Sequence, residues 1–137
     1  MKELWINSEE EMIALGREIS QEWSNQSLVI ALIGEVGAGK THFTKGVAQT
    51  LGAHLSVSSP TFTLVNEVSG DKGALYHFDF YRIKAEEELH DLGWYDYLDK
   101  QAVVVVEWAD LYAHLIPDTA QWIKIEHHGD QRKVLIA

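Results

Sequence analysis

The chain has no cysteine, which removes disulfides, thiol nucleophiles and cysteine-based zinc sites from its chemistry. Positive charge is scarce: 11 Lys and Arg stand against 21 Asp and Glu, a formal net charge of −10. Proteins that bind nucleic acid unaided displace counterions from phosphates with a basic surface. Direct binding of that kind is therefore not expected, although work on RNA through a partner that supplies the positive charge stays open. No apolar run approaches the roughly 20 residues of a membrane-spanning helix. No basic start followed by an apolar stretch marks a secretory leader, and the chain reads as cytoplasmic. No linker, repeat or low-complexity segment interrupts the 137 residues, a length that suits a single domain over 1–137.

What the chain does have is apolar content, 46% with five tryptophans, enough for a folded interior. Residues 3–7 suit a short strand. Ser8-Glu9-Glu10-Glu11 has the capping-box pattern, and Met12, Leu15, Ile19 and Trp23 recur at helical spacing behind it. That predicts an amphipathic helix to about Glu22. Residues 28–33 are apolar throughout, as in a parallel strand covered on both faces. A loop over 34–39 leads into a helix over 40–51, with Phe43, Val47 and Leu51 on one face and Gly52 as its stop. Residues 62–68 and 74–80 flank Ser69-Gly70-Asp71-Lys72-Gly73 as a hairpin. A helix over 85–92, a second buried strand over 102–106 and a last hairpin of 122–127 with 132–136 complete the pattern. The expected class is α/β: a P-loop NTPase-like three-layer fold with a mixed, mainly parallel central sheet flanked by helices.

Gly34-Glu35-Val36-Gly37-Ala38-Gly39-Lys40-Thr41 matches G-x-x-x-x-G-K-(S/T). Glycines allow successive backbone N–H groups to turn inward around a phosphate, and the following helix adds its positive dipole end. Lys40 spans the β- and γ-oxygens, and the Thr41 hydroxyl ligates Mg²⁺. A chance match would occur roughly once in a few hundred chains of this size, and the motif sits between strand and helix, as its mechanism requires.

Val103-Val104-Val105-Val106-Glu107 is an apolar strand ending in a carboxylate. P-loop proteins hold Mg²⁺ from the far side with such an acid, usually Asp. Glu107 is thus the candidate second metal ligand, with Asp110 its rival, and a strand that simply ends in a solvated Glu is the plainer alternative. In His77-Phe78-Asp79-Phe80-Tyr81-Arg82, alternation puts Asp79 on one strand face with His77 and Tyr81. Asp79 is a candidate to orient or deprotonate the attacking water; pairing with Arg82 or capping the next segment explains it equally well. His77 reads as a packed histidine, and His127-His128 as part of a solvated turn. Ser58-Ser59-Pro60-Thr61 lies where a segment sensing the γ-phosphate would sit, although a polar loop entering a hairpin is the simpler reading.

Together these motifs resemble the TsaE family (older name YjeE), small bacterial ATPases of tRNA threonylcarbamoyladenosine biosynthesis. The resemblance runs in order through the N-terminal Ser-Glu-Glu helix, the glycine loop, Ser59-Pro60-Thr61-Phe62-Thr63-Leu64-Val65, the His77–Arg82 block and Val106-Glu107-Trp108. It implies binding of ATP and Mg²⁺, slow hydrolysis, and work with the TsaB–TsaD assembly. That assembly transfers threonylcarbamoyl to adenosine 37 of tRNAs reading ANN codons, and hydrolysis would reset it between turnovers. The resemblance implies that Lys40 and Asp79 are catalytic, and that Thr41 and Glu107 hold the metal. It further implies nucleotide contacts from Glu9, Gly37, Ala38, Gly39, Lys40, Thr41, His42, Thr61, Trp108 and, most loosely, Arg132. Two positions depart from the family: His42 replaces a common second Thr, and Val68 replaces a usual aromatic.

Other classes find less support. A small-molecule kinase would carry an arginine-rich lid, and the chain has only Arg17, Arg82 and Arg132. A GTPase would need a guanine-reading Asn-Lys-x-Asp stretch, which is not present. A non-hydrolysing nucleotide-binding switch module remains as an alternative.

Overall fold

The computed structural model describes residues 2–23, 26–34, 39–53 and 65–137. Seven strands lie within them: β1 (Lys2–Ile6), β2 (Leu28–Gly34), β3 (Val65–Ser69), β4 (Ala74–Asp79), β5 (Val103–Glu107), β6 (Gln121–His128) and β7 (Gln131–Ile136). Four α-helices accompany them: α1 (Glu9–Ser20), α2 (Lys40–Thr50), α3 (Glu86–Leu92) and α4 (Trp94–Leu98). Two 3-10 segments cover Phe80–Arg82 and Ala109–Leu115.

The strands form one sheet in the order β1-β7-β6-β2-β5-β4-β3. Pairing is parallel across the middle, from β6 through β2 and β5 to β4, and antiparallel toward both edges. The sheet is mixed, with its parallel character confined to those four central strands. The hairpins impose this on β3–β4 and β6–β7, because a tight turn can join only antiparallel neighbours.

Successive β2 side chains point to opposite faces. Ile30 and Leu32 join Met12, Leu15, Phe43 and Val47 of α1 and α2. Val29 and Ala31 join Phe80, Leu89, Trp94 and Leu115 on the other side. Helices therefore cover both faces of the central strands, which is why β2 and β5 are apolar without alternation. The result is a helix–sheet–helix sandwich.

At the start of α1, Ser8 Oγ accepts from the Glu11 N–H at 3.1 Å, and Glu11 Oε2 accepts from the Asn7 N–H at 3.1 Å. The reciprocal bond thus reaches one residue further back than the usual capping box. The strand expected to run through Tyr81 stops at Asp79. There Asp79 Oδ1 accepts from the Tyr81 N–H at 3.1 Å and starts the first 3-10 turn. Tyr81 consequently does not share the strand face of His77 and Asp79. Helix α4 and the Ala109–Leu115 segment, absent from the sequence reading, are anchored by Trp94, which is fully buried and donates its indole N–H to Leu115 O at 3.0 Å.

The two helices on the first face cross at a pair of glycines. A Cβ on Gly46 would lie 1.9 Å from Ile13 O, and one on Gly16 would lie 2.1 Å from Phe43 O. Both contacts are with backbone, which cannot swing aside. This close approach fixes the start of α1 beside the start of α2. Gly46→Ala should therefore destabilise the fold by about 1–3 kcal/mol, overriding the roughly 1 kcal/mol by which Ala favours an isolated helix. Urea unfolding of the variant measures the sign directly.

On the opposite face, Glu86 of α3 accepts from His114 Nε2 at 2.5 Å and from His90 Nε2 at 3.1 Å. His114 ties α3 to the segment that follows Trp108. These bonds, His114 first, hold the Glu86 carboxyl below the usual carboxylate range. The stabilisation they add is full above the ordinary carboxylate pKa and is lost as pH falls through the lowered one. In a carboxyl-carbon NMR titration, His114→Ala should move the Glu86 midpoint up toward the ordinary value; an unmoved midpoint would show that the contact does not form in solution.

Candidate functional site

The carboxyl ends of parallel strands are where open α/β sheets bind ligands. Here β2 ends at Gly34, β4 at Asp79 and β5 at Glu107, and register sets them level: Glu107 lies opposite Leu32 on one side and Asp79 on the other. Helix α2 begins beside them. Its N-cap is Gly39 with φ 107°, a left-handed backbone that L side chains resist, and no side chain caps the helix.

Lys40 opens α2 and is 6% exposed. Its ammonium donates to Gly34 O at 2.8 Å, lies 3.8 Å from Glu107 Oε1 and sits 4.5 Å from the centre of the Trp108 ring. The other carboxylate oxygen of Glu107, Oε2, accepts from His77 Nε2. Burial pushes the Glu107 carboxyl up. The hydrogen bond and charge of His77 and the charge of Lys40 outweigh it, so the group is held below the usual carboxylate range.

Trp108 follows Glu107 directly and has φ 57°, unusual for a residue other than glycine. That conformation costs about 1–2 kcal/mol. It turns the chain sharply off β5, and the ring lies against both Lys40 and Tyr81, whose ring centre is 5.1 Å away. Asp79 is engaged as the two simpler readings proposed: Oδ1 caps the 3-10 turn, and Oδ2 accepts from Arg82 Nε at 3.3 Å. Thr41 is half-buried in the first turn of α2. Asp110, the rival ligand, is exposed in the second 3-10 segment rather than at the strand end.

A second group of the expected residues gathers on the α1 side. Glu9, Gly39, His42 and Arg132 line one cavity of about 240 Å³, together with Asn7, Met12 and Asp130. His42 Nε2 lies 3.5 Å from Glu9 Oε2. Arg132 Nη1 donates to Gly129 O at 3.3 Å and to Gln131 O at 3.1 Å, which fixes it over the last hairpin. Gly39 belongs to both groups, so the cavity adjoins the start of α2. Gly37, Ala38 and Thr61, with Ser59 and Pro60, lie outside the described residues.

Sequence reasoning passed over His77 as packing. Its signal was the two-residue spacing to Asp79, which places both on the face that carries Glu107. Asn7 and Asp130 carried no motif and enter the cavity only through the fold.

Among the described residues no three His, Asp or Glu side chains converge as a metal cluster. A magnesium ion does not require one, since it is usually held by one or two protein oxygens plus phosphate and water. A carboxylate and a hydroxyl beside the helix start fit that donor set.

Comparison with known proteins places the chain in a family. Residues 6–134 match the family described as threonylcarbamoyl adenosine biosynthesis protein TsaE. Proteins of that description from Haemophilus influenzae and Aquifex aeolicus are 31% and 40% identical over 95% and 80% of this chain, spanning 85% and 78% of their own lengths. The relative from Bacillus subtilis is 44% identical over 77% of the chain, and the match spans 65% of its length, just under two thirds. Among solved structures, the crystal structure of YdiB from Bacillus subtilis superposes with a TM-score of 0.76 at 31% identity, covering 98% of this chain and 83% of that one. With a match along nearly its whole length and relatives of that identity, the chain belongs to the TsaE family, whose members take part in threonylcarbamoyladenosine biosynthesis.

Proposed function

We propose that this chain binds ATP with Mg²⁺ at the carboxyl ends of β2, β4 and β5 and hydrolyses it slowly. In this way it serves the N6-threonylcarbamoyladenosine modification of adenosine 37 in tRNAs reading ANN codons. The observation that carries the reading is the position of Lys40. A buried lysine opens a helix directly after a strand ending in Gly34, and its ammonium faces the carboxylate at the end of the next parallel strand.

On this reading Lys40 exchanges its present acceptors for phosphate oxygens, and the uncapped start of α2 adds backbone N–H groups, with those of Gly37 and Ala38. Thr41 and Glu107 hold Mg²⁺, whose charge would offset that of the phosphates. Asp79 serves the attacking water, and Thr61 senses the γ-phosphate. The cavity between Glu9, His42 and Arg132 takes the nucleoside end, and Trp108 closes the site beside Lys40. TsaB and TsaD are the partners. The net charge of −10 favours their holding the tRNA while this chain resets them between turnovers.

The engagement of Asp79 by the Tyr81 N–H and by Arg82 favours one second reading, a nucleotide switch that does not hydrolyse. Single-turnover hydrolysis separates the two. Asp79→Asn should keep ATP affinity within about twofold while slowing hydrolysis by about 10²-fold, the usual contribution of a positioned base. No hydrolysis by the wild type would leave the switch reading standing, and an unchanged rate in the variant would remove Asp79 from the reaction. Lys40→Ala should weaken ATP binding by at least about tenfold, as expected when a charge-assisted bond to phosphate is lost; calorimetry with wild type as reference checks it.

Hydrolysis by a P-loop protein without a supplied arginine is commonly slower by about three to five orders of magnitude. Turnover should therefore rise when TsaB and TsaD are added. Equal rates with and without them would sink the partner reading.

A further inference from the structure

Four polar residues are buried among the described ones: Ser20, Lys40, Thr44 and His77. Two of them settle on helix carbonyls, Ser20 on Gly16 O at 2.7 Å and Thr44 on Lys40 O at 2.9 Å. The other two converge on Glu107, Lys40 at Oε1 and His77 at Oε2. The proposed function uses Lys40 and Glu107 and leaves His77 without a task.

His77 sits in the middle of the parallel pair β4–β5, opposite Val105 and two residues before Asp79. Its flanking neighbours Tyr76 and Phe78 face the other helical layer, so the imidazole points to the α1–α2 side with Glu107. A carboxylate only accepts hydrogen bonds, so Nε2–H donates to Oε2. That one bond leaves Oε1 facing the start of α2, where Lys40 and Thr41 lie.

P-loop proteins usually place Asp at this strand end, and Glu has one more freely turning bond. A glutamate here needs something to hold its carboxylate in one rotamer, and His77 is the group that touches it from the sheet side. We infer that His77 is a positioning residue for the metal site: its Nε2–H fixes the Glu107 carboxylate so that Oε1 is presented to the cation of the bound nucleotide. The inference rests on the proposed nucleotide–metal reading. Outer partners of this kind matter because an unrestrained ligand must be ordered each time it binds.

The test measures metal binding directly on the full chain. Mn²⁺ is titrated into protein saturated with ADP, with free Mn²⁺ counted by electron paramagnetic resonance, and ADP affinity is measured separately in EDTA. His77→Asn places its amide short of the Nε2 position, whereas His77→Gln reaches it. His77→Asn should weaken Mn²⁺ binding by about tenfold or more, and His77→Gln should stay within about threefold of wild type. Metal-free ADP affinity should stay within about twofold for both, because neither variant touches the phosphate contacts. If His77→Asn does not fold, His77→Phe, which keeps a ring and loses the donor, takes its place.

Three results overturn the inference. Wild-type Mn²⁺ affinity in the donor-deficient variant, alongside weakened binding in Glu107→Gln, removes the role of His77 and keeps Glu107 as the ligand. Equal loss in His77→Asn and His77→Gln shows that ring packing, not the hydrogen bond, matters. Unchanged binding in Glu107→Gln removes the metal reading itself, and the inference goes with it.

Discussion

One carboxylate holds the end of the sheet together. Glu107 faces two nitrogen groups at once, the Lys40 ammonium and the His77 imidazole, with little water around any of the three. A buried lysine without a counter-charge is strongly unfavourable, so the burial of Lys40 is possible only if an acid reaches it. That acid has to come from the neighbouring strand at the same level, and the parallel pairing of β5 between β2 and β4 supplies it. The order of the central strands places Glu107 at that point, and the left-handed turn at Trp108 ends β5 there.

The second constraint acts through backbone rather than charge. Because Gly16 and Gly46 let α1 and α2 approach to carbonyl contact, the first turns of both helices end up beside each other. Glu9 and His42 then face across a cavity that the last hairpin closes with Arg132 and Asp130. A wider helix crossing would separate them. The antiparallel pairing of β1 with β7 does the same from below, since Ile6 lies opposite Arg132 in the register. Residues more than 120 positions apart in sequence are thus brought to one cavity by two glycines and one edge strand.

This explains which parts were legible in the sequence. Strand β2, helix α2 and the charged end of β5 carry their instructions locally, in an apolar run, a glycine loop and a terminal carboxylate. The cap at Ser8 and the turn at Gly129 were legible for the same reason. Helix α4 was not, because Trp94-Tyr95-Asp96-Tyr97-Leu98 is a short aromatic stretch whose helical form depends on burying Trp94 against Leu115. Gly16 and Gly46 read as mild helix breakers until a second helix lies against them. The bond between His77 and Glu107 joins residues 30 apart, and the spacing of His77 from Asp79 gives its strand face but not its partner. Asp79 shows the reverse case: both of its simpler roles, the cap and the Arg82 pair, were visible within three residues and both are formed.

The charge of the chain bears on the proposed nucleotide site in a way that composition alone hides. A protein of net charge −10 repels a triphosphate at long range, yet in physiological salt such repulsion fades within about 8 Å. Attraction inside the site must therefore come from groups close at hand. The start of α2 offers them: Lys40, the uncapped N–H groups of the first turn, and His42 and Arg132 across the adjoining cavity. Glu107 works against the phosphates unless a cation stands between them, so on the proposed reading its presence makes nucleotide and metal binding mutually dependent. The same carboxylate that allows Lys40 to be buried would then require the metal for the phosphates to approach it. His77, by holding one oxygen of that carboxylate, would set how well the other can meet the ion.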